Sequence, residues 1–320
     1  MEGKLMAKNS SKVVRGIVIA ASASMMWGIS GTCLQFISQN QNIPENWFLS
    51  ARTLGAGLIL LVVSLIMYRG KVFHVFKSWK NIAWLFAYAI LGLMANLFTF
   101  YKSIQFGGNA EAATILQYLS PLFIVLGTVI FRRQMPYKSD VFAFIIALVG
   151  VFLALTKGDF SQLSISTSSL MWGLGSGLTA AFYVVLPRNI VKDPDNPPLV
   201  VLGWGTLIAG FFFNLHQPVW VGTPKITGTL IASMLTVIFL GTIIPFGLLL
   251  YATHYAPSDV ISIMDAVQPI TTSILSIIFF KMGMNWIEVV GIVLVIIGVY
   301  ILQHGRRNIE NSEENFHVDV

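Results

Sequence analysis

Residues 110–131 read AEAATILQYLSPLFIVLGTVIF, and residues 258–279 read SDVISIMDAVQPITTSILSIIF. Superposed at an offset of 148, Glu111, Thr114, Gln117, Ser120, Pro121, Thr128 and Phe131 fall on Asp259, Ser262, Asp265, Gln268, Pro269, Ser276 and Phe279. The match continues downstream, with Asp140 on Glu288 and Gly150-Val151 on Gly298-Val299. Upstream, Met26-Trp27-Gly28 recurs as Met171-Trp172-Gly173, and Ser24, Gly28 and Thr32 match Ser169, Gly173 and Gly177. Self-similarity on this scale means two copies of one unit. The small residues at every fourth position let another helix approach closely.

The composition says what kind of unit it is. Of 320 residues, 55% are hydrophobic and 11% charged, against roughly 25% charged in an average soluble domain. With a mean hydropathy of +0.75, too few polar residues remain to cover a soluble core. The net charge of +6 is scattered between apolar runs, which excludes the single basic face of a nucleic-acid binder. A helix needs about 20 apolar residues to cross a bilayer. Such runs occur at about 14–37, 48–68, 81–101, 110–131, 139–156, 168–190, 198–215, 228–253, 258–280 and 285–303. Short links such as Lys192-Asp193-Pro194-Asp195-Asn196-Pro197-Pro198 separate them, and their prolines and charges make poor helix. Lys4, Lys8, Lys12 and Arg15 before an apolar stretch with Ala21-Ser22-Ala23 resemble a signal peptide. The run continues to about Ile37, too long for an h-region of roughly 7–15 residues.

The expected fold is therefore an all-α membrane protein of ten transmembrane helices. The segments are a tail at 1–13, a first five-helix repeat at 14–156, a linker at 157–167, a second repeat at 168–303 and a tail at 304–320. Five is odd, so the copies must be inserted in opposite orientations as an inverted repeat. Exchanging two shapes of one pattern between such copies produces alternating access. Fifteen of the 20 Lys and Arg fall on the side of the termini, including Arg69, Lys71, Lys77, Lys80, Arg132, Arg133 and Lys138. Arg52, Lys102, Lys157, Lys225 and Lys281 lie on the other side or at the membrane end nearest it. Both termini are accordingly expected in the cytoplasm and the linker outside, in a plasma-membrane protein.

Spacings of three put Glu111, Thr114, Gln117 and Ser120 near one face of helix 4, and Asp259, Ser262, Asp265 and Gln268 near one face of helix 9. Each stripe ends in a mid-helix proline, which frees the carbonyl four residues earlier, at Gln117 and at Asp265. Substrate or protons are expected there. Asp265 is the leading candidate, because a carboxylate inside a span faces a cavity or a partner; the alternative is an acid that hydrogen-bonds two helices together. Glu111 lies within a turn of its helix end, where a pair with Lys102 or solvation competes with function. Arg52, one turn into helix 2, either snorkels and anchors or binds a substrate carboxylate. His254 ends helix 8 as an interfacial residue or part of a proton route. Trp27, Trp172, Tyr101, Tyr118 and Tyr183 offer either an aromatic cage for a cation or packing. Pro245 is expected to kink helix 8.

Cys33 is the single cysteine, so a disulfide or cysteine metal site within one chain is out of reach. No Walker A loop, HExxH, GxSxG or dinucleotide fingerprint occurs. No metal or cofactor is expected, and transport without an ATP site is secondary. Two rivals remain. An intramembrane enzyme built on Asp265 needs a second acid within about 3 Å, and a passive channel would show currents rather than counterflow.

Ten spans in two halves, Trp-Gly early in helices 1 and 6, Arg52, the helix 4 and 9 prolines and the two Gly-Val pairs together resemble the EamA-type branch of the drug/metabolite transporter superfamily, over about residues 15–303. The resemblance implies a proton- or gradient-coupled carrier, often an exporter of amino acids, amines or related metabolites, with a central cavity between the halves. Members usually carry a glutamate after helices 4 and 9, where this chain has about Gln134 and Met282.

Overall fold

The computed structural model describes residues 2–40, 43–107, 109–133, 135–159, 163–256, 261 and 264–318, with side chains described for 12–39 and, apart from residue 132, from 43 to 302 within those ranges. Asp259, Ser262 and Gln134 lie outside the described residues. The membrane helices are α1 (Lys12–Gln39), α2 (Glu45–Lys77), α3 (Trp79–Gly107), α4 (Ala110–Phe131), α5 (Lys138–Thr156), α6 (Thr167–Val191), α7 (Pro198–His216), α8 (Gly228–Ala252), α9 (Met264–Phe280) and α10 (Trp286–Leu302). Eight are long and apolar enough to cross a membrane, and α9 and α10 are shorter apolar helices. The polarity is that of a protein dissolved in lipid. Large apolar side chains such as Ile66, Phe131 and Phe279 point outward, while Ser24, Gln35, Arg52 and Glu111 are buried.

The inverted repeat is visible in the packing. Helix α1 packs on α8 and α9, as α6 packs on α3 and α4; α2 faces its counterpart α7, α4 faces α9, and α5 faces α10. Glycines permit these approaches. A Cβ on Gly57 would lie 2.6 Å from the Leu207 nitrogen, and one on Gly210 would lie 2.7 Å from the Leu54 nitrogen. At the α5/α10 seam, a Cβ on Gly150 would lie 2.6 Å from the Val295 nitrogen, and one on Gly291 would run into the Ala154 nitrogen.

Single side chains and backbone angles repeat as well. Near the start of α2, the Trp47 indole donates to Val219 O at 2.8 Å, and near the start of α7 the Trp204 indole donates to Val72 O at 2.8 Å. Each tryptophan reaches into the opposite half, Trp47 to the α7–α8 link and Trp204 to the end of α2. Arg133 and Lys281, related by the same offset of 148, end α4 and α9 with φ of 53° and 52°.

Several helices depart from the uninterrupted spans expected above. In α4 the α-helix stops at Gln117, turns at Tyr118-Leu119 and restarts at Ser120–Arg132 with Pro121 in its first turn. Pro121 thus opens a helix instead of sitting inside one, the position where a missing N–H costs least. In α9 a 3₁₀ turn, Met264–Ala266, leads into Val267–Phe280. In α8 a π-helical turn, Phe239–Ile243, comes before Pro245, and Tyr88–Met94 forms a π-helical turn in α3, the counterpart helix of the other half. Such turns are wider than α and leave carbonyls for other donors.

Beyond the apolar helices, Lys71 Nζ meets Asp195 at 2.8 Å and His74 Nε2 meets Asp193 at 3.2 Å. Hydrogen bonding and charge from Lys71 hold the Asp195 carboxyl below its ordinary value. The ligand atoms of His74, Asp193 and Asp195 are within 4.8 Å of one another. Lys71 and Asn196 already engage the two carboxylates, so the cluster is a closed clamp joining the 3₁₀ end of α2, Arg69–Lys77, to the α6–α7 link.

Candidate functional site

A cavity of about 270 Å³ lies between the halves, lined from α1, α2, α3, α4, α6, α7, α8 and α9. At about 30 Å³ per water molecule, this is room for on the order of nine waters, the scale of a small metabolite. Of the residues singled out in the sequence, Trp27, Arg52, Gln117, Tyr118, Ser120, Tyr183, Asp265 and Gln268 line it.

Asp265 sits on the 3₁₀ turn that opens α9, and its Oδ1 accepts the Ser24 hydroxyl of α1 at 3.3 Å. Gln117 ends the first part of α4, where its Nε2 donates to Asn96 Oδ1 at 3.2 Å and Ser176 Oγ at 3.1 Å. Asn96 in turn donates to Ser176 O at 3.0 Å. Each of the paired positions, Gln117 and Asp265, therefore reaches a serine on the first helix of the other half. The amide is held by several partners, whereas the carboxylate has one among the described residues.

Arg52 is 5% exposed, so it does not reach the membrane surface as a snorkelling residue would. Its guanidinium carbon lies 6.0 Å from the Phe48 ring centroid. Among the described residues no carboxylate lies within ion-pair distance of it. A buried guanidinium that lines a cavity, with no carboxylate in reach among the described residues, has donors left for an anion.

The aromatic wall has its own logic. Pro245 carries no N–H, and the carbonyl four residues before it belongs to Gly241. That oxygen accepts the Trp27 indole at 3.2 Å. Trp27 meets Phe246 edge-on at 5.3 Å, Phe246 meets Tyr183 at 5.9 Å, and Tyr183 lies 5.8 Å from Tyr88.

The remaining candidates lie elsewhere. Tyr101 is 2% exposed and stacks on Phe48 at 5.7 Å behind Arg52. Trp172 packs edge-on against Phe98 at 5.6 Å. His254 is exposed at the end of α8 beside Tyr251. Glu111 is buried at the start of α4, capped through its N–H by Asn109. It does not pair with Lys102, which binds Glu45 instead, since that carboxylate opens the neighbouring helix α2.

Asn96, Phe246 and Thr206 line the cavity without having been singled out. Asn96 had a readable signal, a polar amide inside the apolar run of α3. Phe246 had none, being one apolar residue among many.

A family model for EamA-like transporters matches residues 14–156 and again residues 167–303. The chain belongs to the EamA-like transporter family. It is a multi-pass membrane transporter and not an enzyme. Among relatives, the uncharacterized inner membrane transporter YicL of Salmonella typhimurium is 29% identical over 294 residues, 92% of this chain and 96% of that protein. The uncharacterized transporter YwfM of Bacillus subtilis is 23% identical over 299 residues, 91% and 94% of the two chains. The protein PecM of Dickeya dadantii is 21% identical over 291 residues, 88% and 90%. A solved crystal structure aligns with a TM-score of 0.61 at 16% identity over 93% of this chain and 99% of the other, which is a shared fold. Within this EamA-like frame the repeat is a duplicated family domain. The enzyme reading lacks its second acid, since among the described residues Asp265 is the one carboxylate lining the cavity.

Proposed function

We propose that this EamA-like protein is a secondary transporter that moves a small polar or amphipathic metabolite of the amino-acid or organic-amine class by alternating access, coupled to a proton or other ion gradient. The inner membrane is its expected location, by likeness to the inner membrane transporter YicL, with both termini cytoplasmic as the charge bias favours. One observation carries the substrate class. The cavity has a guanidinium from the first half, Arg52, and a carboxylate from the second half, Asp265, and each has room for a partner. A zwitterion suits that wall, its carboxylate toward Arg52 and its ammonium toward Asp265, with Tyr118, Tyr183 and Trp27 beside the cation. Asp265 exchanging a proton for the ammonium would couple the two flows, since one buried carboxylate holds one or the other.

Reconstituted protein tests this with a panel of radiolabelled amino acids and their decarboxylated amines. Saturable counterflow is expected, with proton-driven uptake lost in Asp265→Asn while binding of a carboxylate-only analogue persists. Unchanged proton-driven uptake in Asp265→Asn would sink the coupling role. Currents at near-diffusion rates without counterflow would mean a channel.

A further inference from the structure

Apart from the cavity, at the end of the bundle where α4 and α10 begin, lies a second group of buried ionisable side chains. Glu111 opens α4 and is 3% exposed; Glu288 opens α10 and is 2% exposed. Lys157, which ends α5, binds Glu288 Oε1 at 2.7 Å, and Asn285 Nδ2 fixes the Lys157 carbonyl at 3.0 Å. Ser273 and Ser276 of α9 are buried one turn apart, with Ser273 beside the Glu111 carboxyl. Four oxygens here make no hydrogen bond among the described residues: Glu111 Oε1, Glu288 Oε2, Ser273 Oγ and Ser276 Oγ. The Ser273 hydroxyl is a neighbour of the Glu111 carboxyl without the geometry of a hydrogen bond.

We propose that Glu111, with Ser273 and the Lys157–Glu288 pair, is a proton-binding site of this transporter separate from the substrate cavity. Two carboxylates and one ammonium leave one uncompensated negative charge in an apolar place, and one proton cancels it. Protonated Glu111 also becomes a donor, which neither orphan carboxylate oxygen is, and which an unpaired serine hydroxyl can accept. Sodium suits the place poorly, because the Lys157 ammonium already fills the cation position. The charged groups acting on Glu111 are Glu288 from α10 and Lys157 from α5. At the same end α1 presents the uncharged Gln35, Lys102 of α3 is held by Glu45 of α2, and α6 carries no titratable side chain from Thr167 to Phe182.

The position gives the proton something to control. Gln35 of α1 accepts the Ala110 N–H at 2.9 Å and donates to the Met282 sulfur at 3.8 Å, tying α1, α4 and the α9–α10 link together beside Glu111. Opening the cavity toward this end separates these helices. Losing the proton would leave Glu111 and Glu288 as like charges across that seam, so deprotonation favours opening.

The test needs no substrate, so its outcome is independent of the zwitterion reading. Full-length protein in lipid nanodiscs is taken through a pH jump and followed by infrared difference spectroscopy, with released protons counted by a pH dye. The expected result is a protonated-carboxyl C=O band that disappears on alkalinisation in the native protein and in Asp265→Asn. Glu111→Gln should lose that band and release one proton fewer, and Ser273→Ala should keep the band at a shifted frequency. If Glu111→Gln does not fold, Glu111→Asp should move the band. A band that survives Glu111→Gln, is untouched by Glu111→Asp, or vanishes instead in Asp265→Asn overturns the proposal. So does displacement of the proton when sodium replaces potassium at fixed pH, which would make this a sodium site.

Discussion

Trp27→Phe should destabilise the protein by a modest amount, and Pro245→Ala should return part of the loss. The indole of Trp27 supplies the one donor that Pro245 denies to Gly241 O, at 3.2 Å. Phenylalanine keeps an aromatic ring against Phe246 but brings no N–H. A buried acceptor left bare costs about 1–3 kcal/mol in water-soluble proteins. Interhelical hydrogen bonds in membranes average about 0.6 kcal/mol, with a maximum of about 1.7. Gly241 lines the cavity, where water can replace part of the lost bond, so the membrane figures win and about 0.5–1.5 kcal/mol is expected. Alanine at 245 restores an N–H directed back along α8 toward the same carbonyl. In the native background that N–H finds the acceptor occupied; in the Trp27→Phe background it finds it free. The pair should therefore couple, with the double variant less damaged than the sum of the singles by at least about 0.5 kcal/mol. Reversible unfolding by SDS in mixed micelles measures all four corners of the cycle. Strict additivity, or a Trp27→Phe variant as stable as the native protein, would refute the assignment of this carbonyl to this indole.

Arg52→Gln should weaken carboxylate-bearing substrates about 10- to 150-fold, from about 1.5–3 kcal/mol for a charge-assisted hydrogen bond, and leave decarboxylated analogues unchanged; competition binding in detergent reads the split. Gly150→Ala places a Cβ against the α10 backbone and should cost about 1–3 kcal/mol, whereas Gly127→Ala meets nothing within 4 Å and should gain up to about 1 kcal/mol from helix propensity; equal thermal midpoints for the two would contradict the seam. Asp195 is held below its ordinary value by Lys71, so its share of stability is complete above the unfolded-state value and lost only as pH falls through the lower folded one. The midpoint difference between native protein and Lys71→Ala should thus stay constant from pH 7 down to the ordinary Asp range, near 3.9, and shrink below it; a difference already gone at pH 5 would mean that Asp195 is not held down.

The fold was legible because the bilayer leaves few solutions. Ten apolar runs and one internal match at Gln117 and Asp265 suffice to imply two opposed five-helix units, and the structure has them. Helix interruptions were less legible. Pro121 and Pro245 announce that something happens but not that α4 breaks three residues earlier or that α8 widens to a π turn. Those outcomes depend on which donor reaches the freed carbonyl, and Trp27 is more than 200 residues from Gly241. The cavity residues were partly readable, since a charge such as Asp265 or Arg52 inside a span is costly enough to stand out. Glu111 shows the limit. Its chain neighbours suggest Lys102 as the partner, and only packing in three dimensions puts it beside Glu288 and Lys157, at the far end of the sequence and of α5.

The pairing of α1 with α8 and α9, and of α6 with α3 and α4, makes the two halves a swapped pair. Each half has lent its opening helix to the other's bundle. A chain cut in the linker would leave neither fragment with a closed bundle, so the repeats are units of ancestry without being units of folding. For the same reason the packed bundles are not the repeats: they are mixed, drawn from both, and they meet along two seams, where α2 faces α7 and α5 faces α10.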